Sequence, residues 1–596
     1  MKDPVGSPGG GGFARRVSLE ELELGLETKI KDRSRRLTAE QRGRLKAFLT
    51  GDRDRLRERY DVGSPVSDVG GLFPEDPQDK RQREEEERAF EMLLDEKPLT
   101  DLIAKDCLHN PFRVRSDKIA LDLLTDSGTS RLTMEQEGLL REWAEELIPS
   151  VQTFSYARPT PRVLLDHAVG EIFGRDFSFH LTVQGRSSEY LLLKALTGAC
   201  PDDRGKPLLG DHGSPGRRLV LCNRPFDTTK GNMQAVGLEV KTLTEQTTVK
   251  RYEEAETIFL GDMPLDRVSE TADWERTVDA FLITVTDNGG GGQPVSWGNF
   301  MAVADFALEH GKLFWVDACR VFENALFIHL FEKEEMSPLE IVREMLKRAD
   351  LVTISFKKMY SHSGGAILIN KGSKLIGEEV RESLDRRIKR DLTEIYGNGY
   401  DSYAGRTGRD MIEIISGLLE AIDPVRIARR IAQTCEVGRE LRADYGFPVV
   451  PGAHALYAAA DRVLTGLGGE PTKCAAELLN SVCMAAARVR GCGLGYIVYG
   501  GEMVGGKYGE GGDIKIDSLR WAFPRMQYST GYYKRMLRGI ARAYKDGVFG
   551  GLTAGLAARN YKADGFYHFE GEYDFRPDGE AEYRRVVEDL HGYCGA

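Results

Sequence analysis

Two groups of polar residues directly follow predicted buried strands and indicate cofactor chemistry. Asp317 and Arg320 follow the apolar run at 313–316, and Lys358 lies 41 residues beyond Asp317, just after the run at 351–356. A lysine amine can form a Schiff base with an aldehyde. A carboxylate can pair with a pyridinium nitrogen, so that the ring of the cofactor accepts electrons. The two groups together predict a pyridoxal 5'-phosphate site.

The remaining parts of such a site are also present in the sequence. Gln184, Gly185 and Arg186 open an apparent helix, where backbone N–H groups and an arginine can bind a phosphate. Phe226, in the string RPFDTT, offers a flat ring that could cover the cofactor. A third strand-end loop contains Asn288 followed by four glycines. Each motif is common by itself, and the prediction depends on their joint, ordered occurrence.

Short apolar runs alternate with amphipathic stretches from about residue 150 onward. This alternation predicts βαβ units and a mainly parallel sheet covered on both faces, so the fold class is α/β. Ligands of such sheets bind beyond the carboxyl ends of the strands, where the polar groups lie. The predicted strands are RLVLCN (218–223), TIFLGD (257–262), AFLITVT (280–286), LFWVDA (313–318), LVTISF (351–356) and AILIN (366–370).

The composition excludes several classes of protein. The 596 residues carry a formal net charge of −11 and are 41% hydrophobic, which argues against a general nucleic-acid binder and against a wholly disordered chain. No apolar run of about 18 residues indicates a membrane span, and the N-terminus does not read as a secretory signal. Nine scattered cysteines without a Cys-x-x-Cys pair predict reduced thiols, a cytoplasmic location and no metal site.

Charge and pattern predict four segments. Residues 13–60 and 75–97 are dense in Arg and Glu, as is typical of solvated helices. The predicted segments are a charged, partly flexible helical extension (1–104), the N-terminal part of a small domain (105–150), a large cofactor-binding domain (151–435) and the C-terminal part of the small domain (436–596).

Ten short strings between residues 121 and 525 occur in the order of the β-eliminating lyase family, which the chain resembles. Tryptophanase and tyrosine phenol-lyase belong to that family, and the resemblance implies the aspartate-aminotransferase-like fold (fold type I). It also implies β-elimination of an aromatic or related β-substituted amino acid through a quinonoid intermediate, giving a 2-oxo acid and ammonium. The strings are LDLLTDSGT (121–129), EIFG (171–174), QGR (184–186), FDTT (226–229), TDNGGGGQPVS (286–296), VDACRVFENA (316–325), SFKK (355–358), SYAGRTGRDM (402–411), GAHALY (452–457) and RWAFPR (520–525).

The resemblance implies roles for the residues around the cofactor. Lys358 would hold the cofactor and later remove the Cα proton, and Lys357 beside it would order water or tune the local charge. Asp317 would pair with the pyridine nitrogen, and Arg320 would approach the 3-oxygen. The other cofactor-binding residues would be Gln184, Gly185, Arg186 and Ser355 at the phosphate and Phe226 on the ring.

A second set of residues would handle the substrate. Arg525 would hold the α-carboxylate, since a guanidinium suits bidentate binding, and Ser127 and Asn288 would assist it. Tyr156 is similar to the family tyrosine that protonates the leaving group. Of the residues near the leaving group, Asp227 resembles tryptophanase rather than tyrosine phenol-lyase, which has a threonine there.

Other positions bear on the leaving group and on a monovalent cation. His568, in YHFEGEYDF (567–575), matches an active-site histidine of tryptophanase, whereas residues 490–511 depart from both enzymes. Asp227 and His568 together favour a tryptophan-like substrate. Phe154 replaces a glutamate that helps the family to hold potassium, and the carbonyl of Gly128 remains. The sequence thus leaves the need for K⁺ open.

The family resemblance also implies partners. Tyr400 and Tyr403 match positions that reach a neighbouring subunit, so a homo-oligomer is expected, as a dimer of catalytic dimers. The other expected partner is a small-molecule amino-acid substrate, and neither a nucleic acid nor a membrane is expected. Two alternatives stay open: β-replacement or cleavage of another unusual amino acid on the same cofactor, and a non-catalytic pyridoxal protein.

Overall fold

The computed structural model describes most of the chain. It covers residues 18–57, 80–95, 97–99, 114–127, 136–139, 141, 159–198, 219–396, 406–465, 475–495, 517–525, 527–550, 552 and 579–594, together with short strands between 503 and 575. The α-helices are α1 (Leu19–Arg33), α2 (Ala39–Arg57), α3 (Lys80–Asp95), α4 (Thr160–Phe173), α5 (Gly185–Thr197), α6 (Asp227–Ala235), α7 (Val249–Glu254), α8 (Trp274–Thr277), α9 (Trp297–Glu309), α10 (Val321–Phe331), α11 (Pro338–Leu346), α12 (Glu378–Tyr396), α13 (Gly408–Ala421), α14 (Pro424–Tyr445), α15 (Ala460–Thr465), α16 (Ala475–Ala487), α17 (Thr530–Lys545) and α18 (Gly579–Cys594). The strands are β1 (Leu121–Asp122), β2 (Phe177–Thr182), β3 (Leu219–Cys222), β4 (Glu239–Thr242), β5 (Val278–Thr284), β6 (Leu313–Asp317), β7 (Leu351–Ser355), β8 (Gly365–Asn370), β9 (Val449–Pro451), β10 (Ala455–Ala459), β11 (Val489–Arg490), β12 (Cys492–Leu494), β13 (Met503–Val504), β14 (Lys507–Tyr508), β15 (Ser518–Ala522), β16 (Ala554–Ala557), β17 (Lys562–Ala563), β18 (Phe566–Tyr567) and β19 (Glu572–Phe575).

A seven-stranded, mainly parallel sheet forms the centre of the larger unit. Its strand order is β2-β8-β7-β6-β5-β3-β4, and only β8 pairs with both of its neighbours in antiparallel fashion. The parallel register aligns Thr284, Asp317 and Thr353 across β5, β6 and β7. Since parallel strands end at the same edge of a sheet, this register brings the three strand-end loops together. The predicted α/β class is confirmed.

Successive side chains along each strand of this sheet face opposite sides, so they enter two separate apolar cores. Phe281 on β5 and Phe314 on β6 join one apolar cluster with helices α4, α9, α10, α11 and α13. Leu282 and Trp315, the next residues along, join another cluster with α5, α6 and α12. The strands are therefore covered on both faces, which explains why they read as continuous apolar runs.

A smaller antiparallel sheet belongs to a second unit. Its order is β12-β15-β10-β9, and its core, which includes Leu456, Trp521 and Tyr533, contains residues of α16, α17 and α18. Leu121 and Asp122 of β1 pair in parallel with Val489 and Arg490 of β11. This pairing places residues 123–127, which follow β1, between the two units.

Helices α1 and α2 of the charged N-terminal segment pack on the larger unit. Ser18 and Glu21 form a capping box at the start of α1, in which Glu21 N–H donates to Ser18 Oγ (3.2 Å) and Ser18 N–H donates to Glu21 Oε2 (2.8 Å). Leu22, Leu26 and Ile30 are buried along one face of α1, at the four-residue spacing of an amphipathic helix. They join the same apolar cluster as α4, so this charge-rich helix also has a core-facing stripe.

Helix α3 packs instead on the smaller unit. Phe90 and Leu93 lie in the core of that unit. Glu86 is buried and accepts hydrogen bonds from the N–H (2.7 Å) and the hydroxyl (3.0 Å) of Ser529, the N-cap of α17. A carboxylate at this position satisfies backbone donors at the start of a helix and favours its dipole. The extension thus contacts both units.

One predicted strand is wrong, and two strands of the large sheet were missed. Residues 257–262 form turns, because Phe259 and Leu260 enter different apolar clusters and Gly261 N–H donates to Pro294 O (3.0 Å). Strands β2 and β4 were not predicted, since their polar residues interrupt the apolar run. Among the helices that the structure describes, none combines the length and the apolar character needed to cross a bilayer.

Candidate active site

The carboxyl edge of the large sheet gathers the polar groups that follow β5, β6 and β7. Asn288 lies in the loop after β5, Asp317 ends β6, and Lys358 closes a 3₁₀ turn (Phe356–Lys358) directly after β7. Phe356 is fully buried and anchors this turn. The sequence therefore positions the lysine by burying the residue two places before it.

The amine of Lys358 is held by three neighbours that follow β1. It lies 2.9 Å from Asp126 Oδ1, 2.8 Å from Thr125 Oγ1 and 3.2 Å from Ser127 Oγ. Burial lowers the pKa of Lys358 to about 8, although the carboxylate of Asp126 acts in the opposite direction. An appreciable fraction of the amine is then neutral near physiological pH, which is the form that can attack an aldehyde or accept a proton.

Asp126 is the centre of a buried ionic cluster. Its two oxygens accept from Arg320 Nε and Nη2, each at 2.8 Å, and Oδ2 also accepts from Arg430 Nη2 at 3.2 Å. Burial disfavours the charged carboxylate, yet Arg320 and Lys358 hold the pKa of Asp126 well below its usual range. Asp126 and Arg430 were not predicted as site residues, although Asp126 lies within the string LDLLTDSGT.

Arg525, the predicted carboxylate clamp, is buried next to this cluster. Its Nη2 lies 2.7 Å from Glu323 Oε1 and 4.0 Å from Asp126 Oδ2. Its guanidinium carbon lies 5.1 Å from the ring centroid of Tyr360. A guanidinium buried in this way is pre-oriented for a carboxylate, provided that the incoming anion competes with Glu323.

Asp317 is a buried carboxylate with little local compensation. It accepts one backbone hydrogen bond, from Cys319 N–H at 3.2 Å, and burial raises its pKa. Nearby Glu189 is buried too, and burial and the charge of Asp317 raise the pKa of Glu189 to about 8. Within the described part of the chain no cation lies within salt-bridge distance of Asp317. A protonated pyridine nitrogen would supply the missing positive charge.

Positive charge collects at the start of α5. Lys357 has a pKa lowered by burial and by the neighbouring charges of Arg186 and Arg406. A Cβ added to Gly185 would lie 2.8 Å from the Cβ of Ser355, so glycine allows the helix N-terminus to approach the end of β7. The N-terminus of a helix beside three cations suits a phosphate. Arg406, within SYAGRTGRDM, was not predicted as a site residue.

A polar network surrounds Asn288. Its Oδ1 accepts from the Tyr457 hydroxyl (3.0 Å) and from Arg520 Nη1 (3.1 Å), and His454 Nε2 lies 2.9 Å away. The guanidinium carbon of Arg520 lies 5.7 Å from the ring centroid of Phe226. These contacts of Asn288 anchor the four-glycine loop. Arg520 was not predicted as a site residue.

Some of the predicted site residues lie in the described part of the chain, and the others lie outside it. The N-cap of α5 is Gln184, and Asp227 lies at the start of α6, where its Oδ1 accepts from Thr228 N–H at 2.7 Å. Arg186 is exposed at the edge of the site. Six predicted positions lie outside the described residues. They are the proton donor Tyr156, the active-site match His568, the subunit-bridging Tyr400 and Tyr403, and Phe154 and Gly128 at the expected cation site.

Comparisons with known proteins show what this chain is similar to. The family model described as β-eliminating lyase matches residues 122–482. Tryptophanase from Hyphomonas neptunium is 31% identical over 451 residues, which cover 74% of this chain and 88% of that protein. Tyrosine phenol-lyase from Intrasporangium calvum is 30% identical over 451 residues, which cover 73% and 84%. Among solved structures, an aromatic aminotransferase from Pyrococcus horikoshii is 12% identical with a TM-score of 0.48, over 73% of this chain and 98% of that chain.

Proposed function

Because the chain belongs to the β-eliminating lyase family, we propose that it releases an aromatic, tryptophan-like group from the β-carbon of an amino acid. The products would be the aromatic compound, a 2-oxo acid and ammonium. Family membership makes the chain a pyridoxal-phosphate-dependent lyase of fold type I, as the ten strings predicted. The observation that carries the finer proposal is the buried Lys358 amine at the sheet edge, held against Asp126.

The residues at the sheet edge fit the cofactor. Gly185, Arg186, Lys357 and Ser355 surround the start of α5, where a phosphate would bind. Asp317 would hold the pyridine nitrogen, and Phe226 would lie against the ring. When bound, pyridoxal phosphate supplies an electron sink for the bond that breaks at Cα.

The side chains of the site would then divide the work of elimination. Lys358 would take the Cα proton on its neutral amine, which burial favours. Arg525, with Ser127 and Asn288, would fix the α-carboxylate so that the Cα–H bond faces that amine. Tyr156 would protonate the leaving group. Proton transfer by a positioned group contributes about 10²–10⁴-fold to the rate.

Two residues favour an indole-like leaving group. Asp227, next to Phe226, and His568 both match tryptophanase, and tryptophanases from three organisms are among the relatives. Asp227 is partly buried at the start of α6, so its carboxylate could accept from a ring N–H. We propose that both contact the leaving group. The test is an Asp227→Ala variant, which should lose activity on tryptophan more than on S-alkylcysteines.

The deciding experiment supplies the cofactor-loaded protein with tryptophan, tyrosine, S-alkylcysteines and serine. Pyruvate is followed through coupling to lactate dehydrogenase. We expect the highest rate with tryptophan and a loss of at least about 10²-fold in Lys358→Ala. The matched control is Lys347→Ala, since Lys347 is exposed and pairs with Glu344 one turn earlier; its activity should be unchanged. No pyruvate from any of these amino acids would refute the elimination proposal.

We further propose an assembly of at least two copies, with Tyr156, Tyr400 and Tyr403 shared between active sites. Size-exclusion chromatography with light scattering should give a dimer or tetramer. An active monomer would contradict this proposal. Replacing K⁺ by Na⁺ in the same assay tests whether a monovalent cation is needed despite Phe154.

A further inference from the structure

A cluster of metal-ligating side chains lies away from the sheet edge, where α1 crosses α4. It consists of Glu27 from α1 and of His167 and Glu171 from α4. One ligand atom from each residue can be chosen so that all three lie within 4.8 Å of one another. His167 Nε2 is 3.1 Å from Glu27 Oε1, and Glu23 Oε1 is 4.0 Å from the other ring nitrogen.

The imidazole of His167 lacks a well-aligned hydrogen bond, which indicates that it could bind a further ligand. Its Nε2 is buried and has no hydrogen-bond partner, although Glu27 Oε1 lies at hydrogen-bond distance. The contact is thus close but poorly aligned for a hydrogen bond. A ring nitrogen without an aligned hydrogen bond, close to two carboxylates, belongs to a donor set that can bind a first-row metal ion.

Arg175 currently neutralises the two carboxylates. Its Nε donates to Glu171 Oε1 at 2.8 Å, and its Nη2 lies 3.6 Å from Glu27 Oε1. The arginine side chain is 65% exposed, so it can move into solvent without disturbing the core. Its guanidinium therefore occupies the place of a cation that could be exchanged.

The helical spacing supports a built site. Glu23 and Glu27 on α1, and His167 and Glu171 on α4, are each four residues apart, so each pair shares one helix face. Bonds of about 2.0–2.2 Å in a tetrahedral zinc site separate ligand atoms by roughly 3.3–3.6 Å. The 3.1 Å separation between His167 Nε2 and Glu27 Oε1 is close to this range, and the three ligand atoms all lie within 4.8 Å of one another.

We propose that Glu27, His167 and Glu171 form a site for a first-row divalent cation such as Zn²⁺, which fixes α1 to α4. One imidazole and two carboxylates favour zinc, cobalt or manganese over magnesium and calcium, which prefer oxygen ligands alone. A neutral imidazole and two carboxylates would balance the charge of the ion. Arg175 would leave, and Glu23 or a water molecule would complete the coordination.

The test uses the full-length, cofactor-loaded protein after removal of metals with EDTA. Isothermal titration with Zn²⁺ measures stoichiometry and affinity, and the absorption of the Co²⁺ form reports tetrahedral nitrogen and oxygen ligands. We expect one tight site per chain and a higher melting temperature with Zn²⁺. Glu27→Gln should weaken binding at least about tenfold, whereas Glu20→Gln, an exposed glutamate on the same helix, should leave it unchanged.

Arg175→Ala gives a result that a purely structural ion pair would not give. Removing the competing cation should tighten Zn²⁺ binding, while loss of a simple salt bridge would not affect it. The proposal is overturned if the stoichiometry is the same in wild type and in the double variant Glu27→Gln, His167→Ala. It is also overturned if Arg175→Ala fails to tighten binding. Because the variants are read out by titration and melting, these outcomes are independent of the proposed lyase activity.

Discussion

The most informative perturbation is Asp126→Asn. The amide has nearly the same shape but carries no charge, and it leaves Arg320 and Arg430 buried without their shared carboxylate. Asp126 is fully buried and lies 2.8 Å from two nitrogens of Arg320 and 2.9 Å from Lys358. Removing one partner of a buried ion pair costs about 3–5 kcal/mol, because the remaining charge stays uncompensated.

The pH dependence has a definite sign. The native pKa of Asp126 lies well below that of an unfolded aspartate, which is about 3.9. Its contribution to stability is therefore complete above about pH 4 and is lost as the pH falls toward the native pKa. The Asn variant should lack this contribution at neutral pH, so the difference between the two proteins should shrink in acid.

Urea denaturation followed by tryptophan fluorescence measures the effect. At neutral pH the midpoint for Asp126→Asn should fall by an amount equivalent to about 3–5 kcal/mol. Asp117→Asn is the matched control, since Asp117 pairs with Arg115 at 2.8 Å on the surface, and it should not shift the midpoint measurably. A loss below about 1 kcal/mol in Asp126→Asn would refute the reasoning.

Asp126→Asn should also change the pKa of Lys358. Asp126 raises the pKa of Lys358 against the effect of burial, so its removal should lower that pKa below about 8. The rate at which the cofactor-free protein takes up pyridoxal phosphate depends on the neutral amine. Its pH midpoint should therefore move to lower pH in the variant, and an unchanged or higher midpoint would contradict the assignment.

Three further predictions concern other parts of the molecule. Gly185→Ala should weaken pyridoxal phosphate binding by at least about tenfold in equilibrium dialysis, because the new methyl group would lie 2.8 Å from the Cβ of Ser355. Asp317→Asn should keep the melting temperature within a few degrees but lower the elimination rate by about 10²-fold or more. A neutral amide does not stabilise the protonated pyridine nitrogen as a carboxylate does. Glu86→Gln should destabilise the smaller unit by about 1–3 kcal/mol in thermal unfolding, while exposed Glu91→Gln should not. Equal stability of the Glu86 and Glu91 variants would show that α3 contributes little to that unit.

The sequence predicted the parts of the site that lie close together along the chain. Asp317 and Lys358 each follow an uninterrupted buried strand, so the strand end and the polar residue can be recognised in one window. The same reasoning failed for residues 257–262, since periodicity does not show that Phe259 and Leu260 enter different cores.

The parts that could not be predicted depend on contacts between distant segments. Asp126 meets Arg320 across 194 residues and Arg430 across 304 residues. Nothing in the local pattern distinguishes these charges from surface ones. The contact between Glu27 and His167 could not be predicted either. The four-residue spacings on α1 and on α4 are visible in the sequence, but the packing of α1 on α4 is not.

The docking of α3 on the smaller unit has a consequence for synthesis of the chain. Glu86 and its partner Ser529 are 443 residues apart. At about 5–20 residues per second, α3 leaves the ribosome roughly 20–90 s before α17 exists. During that interval Phe90 and Leu93 have no core to enter. Helix α3 is therefore made early but is among the last elements that can reach its final place, in contrast to α1 and α2, which pack on the larger unit.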